Sequence, residues 1–310
     1  MTTEAHQPGP LVENPQFKNG GEVRKINILI AGVVRNCGQA IKEDVARLSA
    51  VVGECSSLHW LVVESDSSDN TVEKLRELQT EVRNFRFITV GNLLPGMPIR
   101  TNRIAFCRNR YLDELRTNEI YKDIDYVVVA DLDGLNRSIT AEAFWSCFQK
   151  TGWDVCTANQ RGPYYDIWSL RHPAWCPGDC WSEYKSLLRN NVGREKALVA
   201  AVHSKMIVIP ETADWIEVDA AFGGIAIYRK DVMIASDYAG VTDTGEEVCD
   251  NVPFHKKIKE NGGRIFINPR FINSGYNAHT KPLLLRNRVR RACQNFIREI
   301  AFKTRLRNRS

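Results

Sequence analysis

Two aspartates, Asp131 and Asp133, follow directly after the apolar run 126–130. Residues at this spacing in an extended segment point to the same side, so both carboxylates can bind one hard cation such as Mg²⁺ or Mn²⁺. The preceding run is rich in valine, which is typical of a strand buried on both faces of an α/β sheet. Open α/β sheets place their ligand sites at the carboxyl ends of such strands. The pair therefore predicts a metal site; a solvated turn is the alternative for a lone Asp-x-Asp.

The elements that would position this pair alternate along the first 135 residues. Apolar segments lead into polar turns, and stretches with apolar residues at helical spacing follow each turn. This alternation of strand and helix predicts a nucleotide-binding α/β unit. The segments are a strand and turn within 25–36, a helix over 41–52, a strand and Asp/Ser turn within 58–71, a helix over 72–78, a strand over 85–90, a helix over 101–116 and the strand 126–130.

The order of these motifs resembles a known class of enzymes. The segment Val-Val-Glu-Ser-Asp-Ser-Ser-Asp-Asn-Thr at 62–71, the helix with Arg108, and Asp131-x-Asp133 occur in the order typical of GT-A nucleotide-sugar glycosyltransferases. The resemblance spans residues 25–280. Within that class, 103–109 and 164–171 are most similar to the capsule-associated α-mannosyltransferases of fungi and their bacterial relatives. A more distant likeness is to fungal mannan polymerase subunits.

This resemblance implies a fold and a domain organisation. We expect an α/β, Rossmann-like GT-A domain with a mostly parallel central sheet flanked by helices. The nucleotide-sugar-binding half is expected over 25–135, and the acceptor half over 136–280. Residues 1–24 are polar and contain proline and glycine, which predicts a mobile tail, and residues 281–310 predict a basic amphipathic helix.

The resemblance also implies a metal-dependent site. GT-A enzymes of this kind bind Mn²⁺ or Mg²⁺, which stabilises the charge that develops on the departing nucleoside diphosphate. We expect Asp133 to bind the metal directly and Asp131 to contact the ribose or a metal-bound water. A histidine near the end of the core completes the predicted ligand set of Asp131, Asp133 and His279. His255 is the reserve candidate, and a surface-loop histidine is the alternative for His279.

Further residues are predicted to bind the nucleotide sugar. The resemblance implies that Glu64 contacts the base or ribose, although a carboxylate that caps the following turn is the alternative. Arginine is suited to bidentate phosphate contacts, but a solvated helix face competes with this role at position 108. A glycine pair allows close backbone approach to a ligand, or is a simple strand-entry turn. The predicted set is Arg35, Glu64, Ser65, Arg108, Asp131, Gly223 and Gly224.

The acceptor side is predicted from an acidic cluster and an aromatic cluster. Asp250, Glu247 and Glu246 lie just before or within a predicted helix. Inverting relatives carry their general base at this place, whereas in retaining relatives an acidic residue there orients a sugar. The resemblance favours retention. Aromatic rings pack against sugar faces, and Asp166 is a candidate to bind sugar hydroxyls. We expect half of the following cluster, and Trp168 above all, to belong to the core: Tyr164, Tyr165, Asp166, Trp168 and Trp175.

Composition is consistent with one enzyme domain. The chain has 310 residues, of which 43% are apolar, enough to bury one large core. We find no uncharged apolar run of 18 residues and no secretory signal. Nine scattered cysteines indicate a reducing, cytoplasmic environment rather than a disulfide framework. Cys176 and Cys180 are spaced to bind zinc or form a redox pair, or are simply two thiols in a loop.

Positive charge is concentrated at the C-terminal end. Residues 281–310 carry ten Lys/Arg and one Glu, a net 10 − 1 = +9, which leaves 5 − 9 = −4 for the remainder. Apolar residues recur among these charges near helical spacing. Such a segment, 283–306, is suited to an anionic membrane surface, which predicts a cytoplasmic protein that is peripheral on the inner face of the membrane. A helix docked on the catalytic core is the alternative. Nucleic acid is not expected as a partner, because the body is acidic.

The predicted activity is therefore transfer of a sugar, with GDP-mannose as candidate donor, to a glycan or lipid-linked acceptor. Two functions from other classes compete with it. A sugar-nucleotide pyrophosphorylase has a similar nucleotide unit but requires a Gly-x-Gly-x-Arg loop, whereas this chain has Gly-Val-Val-Arg at 32–35. A non-catalytic carbohydrate-binding protein explains the aromatic residues but leaves the paired aspartates without a role.

Overall fold

One eight-stranded sheet forms the centre of the protein, and a two-stranded sheet lies beside it. The computed structural model describes residues 10–14, 25–281 and 283–284. The strands are β1 (Val12–Glu13), β2 (Asn27–Val34), β3 (Ser57–Glu64), β4 (Phe85–Thr89), β5 (Tyr126–Ala130), β6 (Lys150–Thr151), β7 (Val155–Gln160), β8 (Ile216–Val218), β9 (Ile225–Arg229) and β10 (Ile265–Ser274). The helices are α1 (Ile41–Val52), α2 (Thr71–Glu81), α3 (Arg100–Thr117), α4 (Ala141–Trp145), α5 (Cys180–Arg189), α6 (Arg194–Ala201), α7 (Lys230–Met233) and α8 (Asn251–Glu260).

The order of the large sheet is β4-β3-β2-β5-β9-β7-β10-β8. Every neighbouring pair among β4, β3, β2 and β5 is parallel, as is the pair β7 and β10, whereas β9 and β8 run antiparallel to their neighbours. The predicted α/β class with a mostly parallel sheet is confirmed. Strands from both predicted halves of the chain share this sheet, because β5 from the first half pairs directly with β9 from the second.

Alternating strand residues form two cores, one on each face of the sheet. Leu29 and Leu61 pack with apolar residues of α3 and α8, whereas Ile28 and Trp60 pack with those of α1, α2 and α4. Successive strand residues point to opposite faces, so a strand buried on both sides must be apolar throughout. This is why the continuous runs in β2, β3 and β5 predicted their elements closely. No described helix combines the length and apolar character needed to cross a membrane.

The N-terminal tail departs from its prediction in one place. Val12 and Glu13 form β1, which pairs antiparallel with Thr151 and Lys150 of β6. Asn14 adds a side-chain hydrogen bond of 3.0 Å to the carbonyl of Phe148. Residues 12–14 thus attach to the domain through a two-residue strand and a side-chain hydrogen bond, where composition alone indicated a mobile segment. The rest of the predicted tail, 1–9 and 15–24, lies outside the described residues.

Candidate functional site

The carboxyl ends of three adjacent strands meet at one edge of the sheet. β2 and β3 are in register where they end, with Val34 opposite Glu64, and β5 pairs with β2 from the other side. The residues that follow these strands therefore lie together, although they are far apart in sequence. Arg35 follows β2, Ser65 follows β3, and Asp131 follows β5. This is the edge at which open α/β sheets bind ligands.

A first cavity of about 220 Å³ lies at this edge. Four arginines line it together with both aspartates of the Asp-x-Asp pair and Ser65. Guanidinium groups are weakly hydrated, and their planar forks match phosphate oxygens. The cavity therefore combines cations for an anionic ligand with carboxylates for a metal. The arginines are Arg35, Arg100, Arg103 and Arg108.

Two of these arginines are exposed and have no carboxylate partner among the described residues. Arg35 donates one hydrogen bond from Nε to the carbonyl of Asp66, at 3.2 Å. Arg100 is the first residue of α3. Sequence analysis selected Arg35 but missed Arg100, since nothing in the sequence indicates that the first turn of α3 faces this cavity. These two guanidinium groups are the ones available to an anionic ligand.

Asp66 anchors the loop that borders the first cavity. Its backbone is left-handed, with φ 56°, and its Oδ1 accepts hydrogen bonds of 2.8 Å from the backbone N–H groups of Leu93 and Leu94. Burial acts to raise the pKa of Asp66, but these hydrogen bonds outweigh it and hold the pKa below its usual value. Arg103 lies 3.5 Å from Asp66 Oδ2 and donates to the carbonyl of Met97 at 2.6 Å. Asp66 and Arg103 therefore hold the loop in place.

Asp131 and Asp133 interact electrostatically. Asp131 is partly buried, and no hydrogen-bond donor in the described part of the chain reaches its carboxylate. Burial raises the pKa of Asp131 to about 7, the negative charge of Asp133 adds to this, and Arg108 opposes it. Asp133 is exposed, and its Oδ1 accepts from the Leu135 N–H at 3.2 Å. The ionised form of Asp131 is therefore poorly stabilised by its surroundings, which favours binding of a cation there.

Glu64 does not line the first cavity. It is buried, and both carboxylate oxygens have partners: Oε1 accepts from the Ser67 N–H at 3.0 Å, and Oε2 accepts from the Thr89 hydroxyl at 2.5 Å. These contacts match the alternative of a carboxylate that stabilises the turn after β3. The neighbouring Ser65 does line the cavity. The predicted contact of Glu64 with a nucleotide therefore has no support in its position.

A second cavity of about 310 Å³ adjoins the first. Arg100, Ile104, Arg108 and Asp131 line both cavities and form the wall between them. The rest of the second cavity is mostly apolar and aromatic, with two more carboxylates. Two reactants, one in each cavity, would thus meet at Asp131. Residues that line only the second cavity include Tyr165, Asp166, Trp168, Trp181, Phe222, Asp250 and His279.

Arg108 and Asp250 form a buried ion pair in the floor of the second cavity. The Nε of Arg108 lies 3.0 Å from Oδ2 of Asp250, and both side chains are 7% exposed. Nη1 of Arg108 donates to Asn251 Oδ1 at 3.1 Å, and its guanidinium carbon lies 5.0 Å from the ring centre of Phe222 and 5.2 Å from that of Tyr238. Burial raises the pKa of Asp250 while the guanidinium lowers it, and burial prevails. Arg108 is therefore a neutralised cation rather than a solvated one.

Of the predicted acidic cluster, only Asp250 lines a cavity. It immediately precedes α8, as the sequence indicated. Glu246 and Glu247 are exposed in the preceding loop, and Glu247 accepts a hydrogen bond of 3.2 Å from the Thr101 hydroxyl. Their predicted catalytic roles have no support in these positions.

The glycine pair before β9 approaches protein rather than a cavity. Gly223 and Gly224 have φ of 72° and 90°, a conformation that side chains other than glycine rarely adopt. A Cβ on Gly224 would lie 2.9 Å from the Tyr165 hydroxyl and 2.4 Å from a methyl group of Leu135. The carbonyl of Gly224 accepts from the Asp131 N–H at 2.9 Å. The pair therefore positions Asp131 from behind, which corrects the expectation of direct ligand contact.

The two candidate histidines differ in accessibility. His279 is exposed, lines the second cavity and stacks on Tyr165 with ring centres 5.4 Å apart and an angle of 12°. His255 is fully buried; its Nε2 lies 2.8 Å from the Tyr228 hydroxyl, and its Nδ1 accepts from the Ala221 N–H at 3.3 Å. Burial lowers the pKa of His255 to about 3, so it stays neutral. With both nitrogens engaged, His255 cannot serve as the reserve metal ligand.

No three acidic, histidine or cysteine side chains in the described ranges gather closely enough to hold a metal on their own. The predicted set of Asp131, Asp133 and His279 is thus not assembled as a three-ligand cage. The paired carboxylates still fit a cation of the Mg²⁺ type, because such ions bind one or two carboxylates and take their other ligands from substrate phosphates and water. Burial and the charge of Asp133 raise the pKa of Asp131 by more than Arg108 lowers it, so a cation would stabilise the ionised form of Asp131.

The thiols of Cys176 and Cys180 are buried and unoxidised. Burial raises both pKa values, that of Cys180 to about 12, so neither is a ready thiolate ligand.

The aromatic cluster is divided between core and cavity. Tyr164 is fully buried, whereas Trp168 is only partly buried and lines the second cavity. The expectation that Trp168 would be the most buried member of the cluster is therefore wrong.

No protein-family model matches this sequence, and no curated protein sequence matches it. Solved structures do resemble it. One is the mannosyltransferase PcManGT from Pyrobaculum calidifontis in complex with GDP-Man and Mn²⁺, at 13% identity and a TM-score of 0.49, covering 87% of this chain and 60% of that one. A second is glucosyl-3-phosphoglycerate synthase from Mycobacterium tuberculosis with UDP, at 15% identity and a TM-score of 0.41, covering 82% of this chain and 72% of that one. A third is TarS 1–349 from S. aureus with UDP-GlcNAc, at 14% identity and a TM-score of 0.43, covering 78% of this chain and 56% of that one. The present chain thus spans less than two thirds of the length of the PcManGT and TarS chains.

Proposed function

We propose that this protein is a metal-dependent glycosyltransferase of the GT-A class, which moves a sugar from a nucleoside diphosphate sugar to a glycan or lipid-linked acceptor. One observation carries the proposal. Asp131, beside Asp133, stands on the wall between an arginine-lined cavity and a largely apolar one. This arrangement is suited to passing a sugar between two substrates with a cation-stabilised leaving group.

The first cavity is the proposed donor site. Arg35 and Arg100 have no carboxylate partners among the described residues and are suited to the diphosphate. Ser65 lines the same cavity at the end of β3, where it can bind a sugar or ribose hydroxyl. Asp66 and Arg103 act through the loop that they hold rather than by contact with the donor.

Asp131 and Asp133 are the proposed holders of Mn²⁺ or Mg²⁺. When bound, the cation acts as a Lewis acid toward the charge that develops on the leaving diphosphate. The raised pKa of Asp131 supports this assignment, because Arg108 offsets the effects of burial and Asp133 only in part and a cation would stabilise the ionised carboxylate further. His279 stays a candidate ligand, since it lines the second cavity together with Asp131 and stacks on Tyr165.

Asp250 is proposed to orient a sugar rather than to remove a proton. Its carboxylate is buried against Arg108 and is not a free base. This fits a retaining reaction, which needs no general base from the protein. The likeness of 103–109 and 164–171 to the capsule-associated α-mannosyltransferases leads us to propose GDP-mannose as donor and a surface polysaccharide or glycoconjugate as product.

Turnover of a panel of nucleotide sugars with Mn²⁺, measured as release of nucleoside diphosphate, tests the function. We expect one sugar nucleotide to be turned over and EDTA to abolish release. A pyrophosphorylase would instead form nucleoside triphosphate from sugar nucleotide and pyrophosphate, and a carbohydrate-binding protein would release nothing. Anomeric NMR of the product then decides between retention and inversion. Undiminished release in EDTA would refute metal dependence.

A further inference from the structure

We infer that the accepting sugar is neutral, not phosphorylated, and that Asp166 and Trp181 bind it in the second cavity. Asp166 binds a hydroxyl, and Trp181 packs against the apolar face of the ring. This inference rests on the proposed transferase function and adds the chemical class of its acceptor. Trp181 did not emerge from the sequence as a candidate, whereas Asp166 was already a sequence candidate for binding sugar hydroxyls.

Asp166 holds one carboxylate oxygen fixed and leaves the other available. Oδ2 accepts hydrogen bonds from the Ser169 hydroxyl at 2.6 Å and from the Gly223 N–H at 3.0 Å. No donor among the described residues reaches Oδ1, and the residue lines the second cavity. A carboxylate whose orientation is fixed by the protein loses little entropy when it accepts a hydrogen bond from a ligand. Oδ1 is therefore a prepared acceptor for a sugar hydroxyl.

Trp181 presents an aromatic ring to the same cavity. It is the second residue of α5 and is 38% exposed, which is unusual for tryptophan in a folded domain. Tyr184 contacts it edge to face, with ring centres 5.8 Å apart, and so supports the ring. Trp168 lines the cavity as well. Rings of this kind pack against the C–H faces of sugars while polar groups bind the hydroxyls.

The charges of the second cavity disfavour an anionic acceptor. Asp131, Asp166 and Asp250 line it against two arginines, of which Arg108 is already paired with Asp250. The remaining cation, Arg100, lies on the wall shared with the first cavity. A phosphate on the accepting sugar would face Asp166 without a cation of its own. Repulsion from the carboxylate of Asp166 thus disfavours phosphorylated sugars.

Kinetics with methyl α-mannoside, methyl α-glucoside and mannose 6-phosphate as probes test the inference. We expect transfer to a methyl glycoside to exceed transfer to mannose 6-phosphate by more than about tenfold in kcat/KM. Asp166→Asn should raise the KM for the glycoside about tenfold, as expected for loss of a hydrogen bond to a charged group, and the KM for the donor far less. Asn retains an oxygen for Ser169 and Gly223, so the fold should persist. Asp214→Asn, at an exposed position outside both cavities, is the matched control.

Trp181→Ala should raise the glycoside KM by a similar factor, and Trp181→Phe should restore most of the loss because the aromatic face is retained. Saturation-transfer NMR on the full chain should show methyl glycoside binding that Trp181→Ala removes. The inference is overturned if mannose 6-phosphate is the better acceptor, if either variant leaves the acceptor KM unchanged, or if the glycosides neither bind nor react while the donor is turned over. Absence of any donor turnover would instead refute the proposed function.

Discussion

At the scale of single residues, the chemistry is concentrated in Asp131. Its carboxyl group has an unusually high pKa of about 7, because it is buried and lies beside Asp133. In the metal-free protein the proton is therefore held between the usual Asp pKa of 3.8 and about 7. Because the folded state binds this proton more tightly than the unfolded state, the metal-free fold loses stability as pH rises through that window. A bound cation stabilises the ionised carboxylate of Asp131 and so offsets this loss of stability.

This predicts that Mn²⁺ must displace a proton below pH 7. The apparent affinity should fall about tenfold per pH unit between pH 7 and 5, since one proton is exchanged for the metal. Isothermal titration calorimetry of the metal-free protein at several pH values, in buffers of different ionisation enthalpy, measures both affinity and proton release. An affinity that is constant from pH 5 to 7 would contradict the assignment.

Asp133→Asn supplies the second arm of this experiment. The fold should be retained because Asp133 is exposed at a strand end, whereas Mn²⁺ affinity should fall at least about tenfold. Turnover of the donor should fall with it. Asp214→Asn again serves as the control, since it removes one exposed carboxylate that lines neither cavity.

At the scale of elements, the buried pair of Arg108 and Asp250 joins α3 to the start of α8. Both side chains are almost fully buried, and their residues lie more than 140 positions apart. A buried pair adds little net stability, but removal of one partner leaves an uncompensated charge. This ion pair therefore holds α3 and α8 together at the floor of the second cavity.

This predicts that Arg108→Met lowers the free energy of unfolding by roughly 3–5 kcal/mol. The double variant Arg108→Met with Asp250→Asn should recover part of that loss, because no buried charge is left alone. Asp250→Asn by itself should reduce transfer to acceptor far more than it weakens nucleotide binding. Urea denaturation and steady-state kinetics measure the two effects. Additive stability losses in the double variant would show that the two side chains do not interact.

At the scale of the whole molecule, an acidic body carries a basic C-terminal segment. Of the segment 283–306, the structure describes only 283 and 284, which continue from the turn that contains His279. The proposed membrane role of this segment therefore stays a prediction from its charge. Each Lys or Arg near an anionic bilayer contributes about 1 kcal/mol at most, so partial engagement of several would suffice for reversible binding.

We expect the full chain to sediment with anionic vesicles at low salt and a version that ends at Pro282 not to do so. Binding should weaken strongly toward 1 M salt, where the Debye length is roughly 3 Å. Vesicles of neutral lipid are the control for insertion driven by apolar residues alone. If both versions bind anionic vesicles equally, the segment is not an anchor, and the docked-helix alternative takes its place.

The sequence by itself determined most elements of the first 135 residues and the position of the paired aspartates. Strands buried on both faces must be apolar throughout, so β2, β3 and β5 were recognisable, and the polar residues that end them fall at one edge of any parallel sheet. Helix spacing likewise predicted α1 and α3 to within a residue or two. These features depend on local patterns, which is why they can be predicted without a fold.

Only the tertiary structure decided what each polar residue does there. Glu64 accepts a hydrogen bond from Thr89, and Arg108 forms an ion pair with Asp250. The Gly223–Gly224 turn packs against Tyr165 and donates a hydrogen bond to Asp166. Each of these contacts joins parts of the chain that are separated in sequence. A carboxylate or guanidinium looks the same in sequence whether its partner is water, a ligand or another side chain. Burial and the neighbour across the fold fix its charge and availability, and no local pattern encodes them.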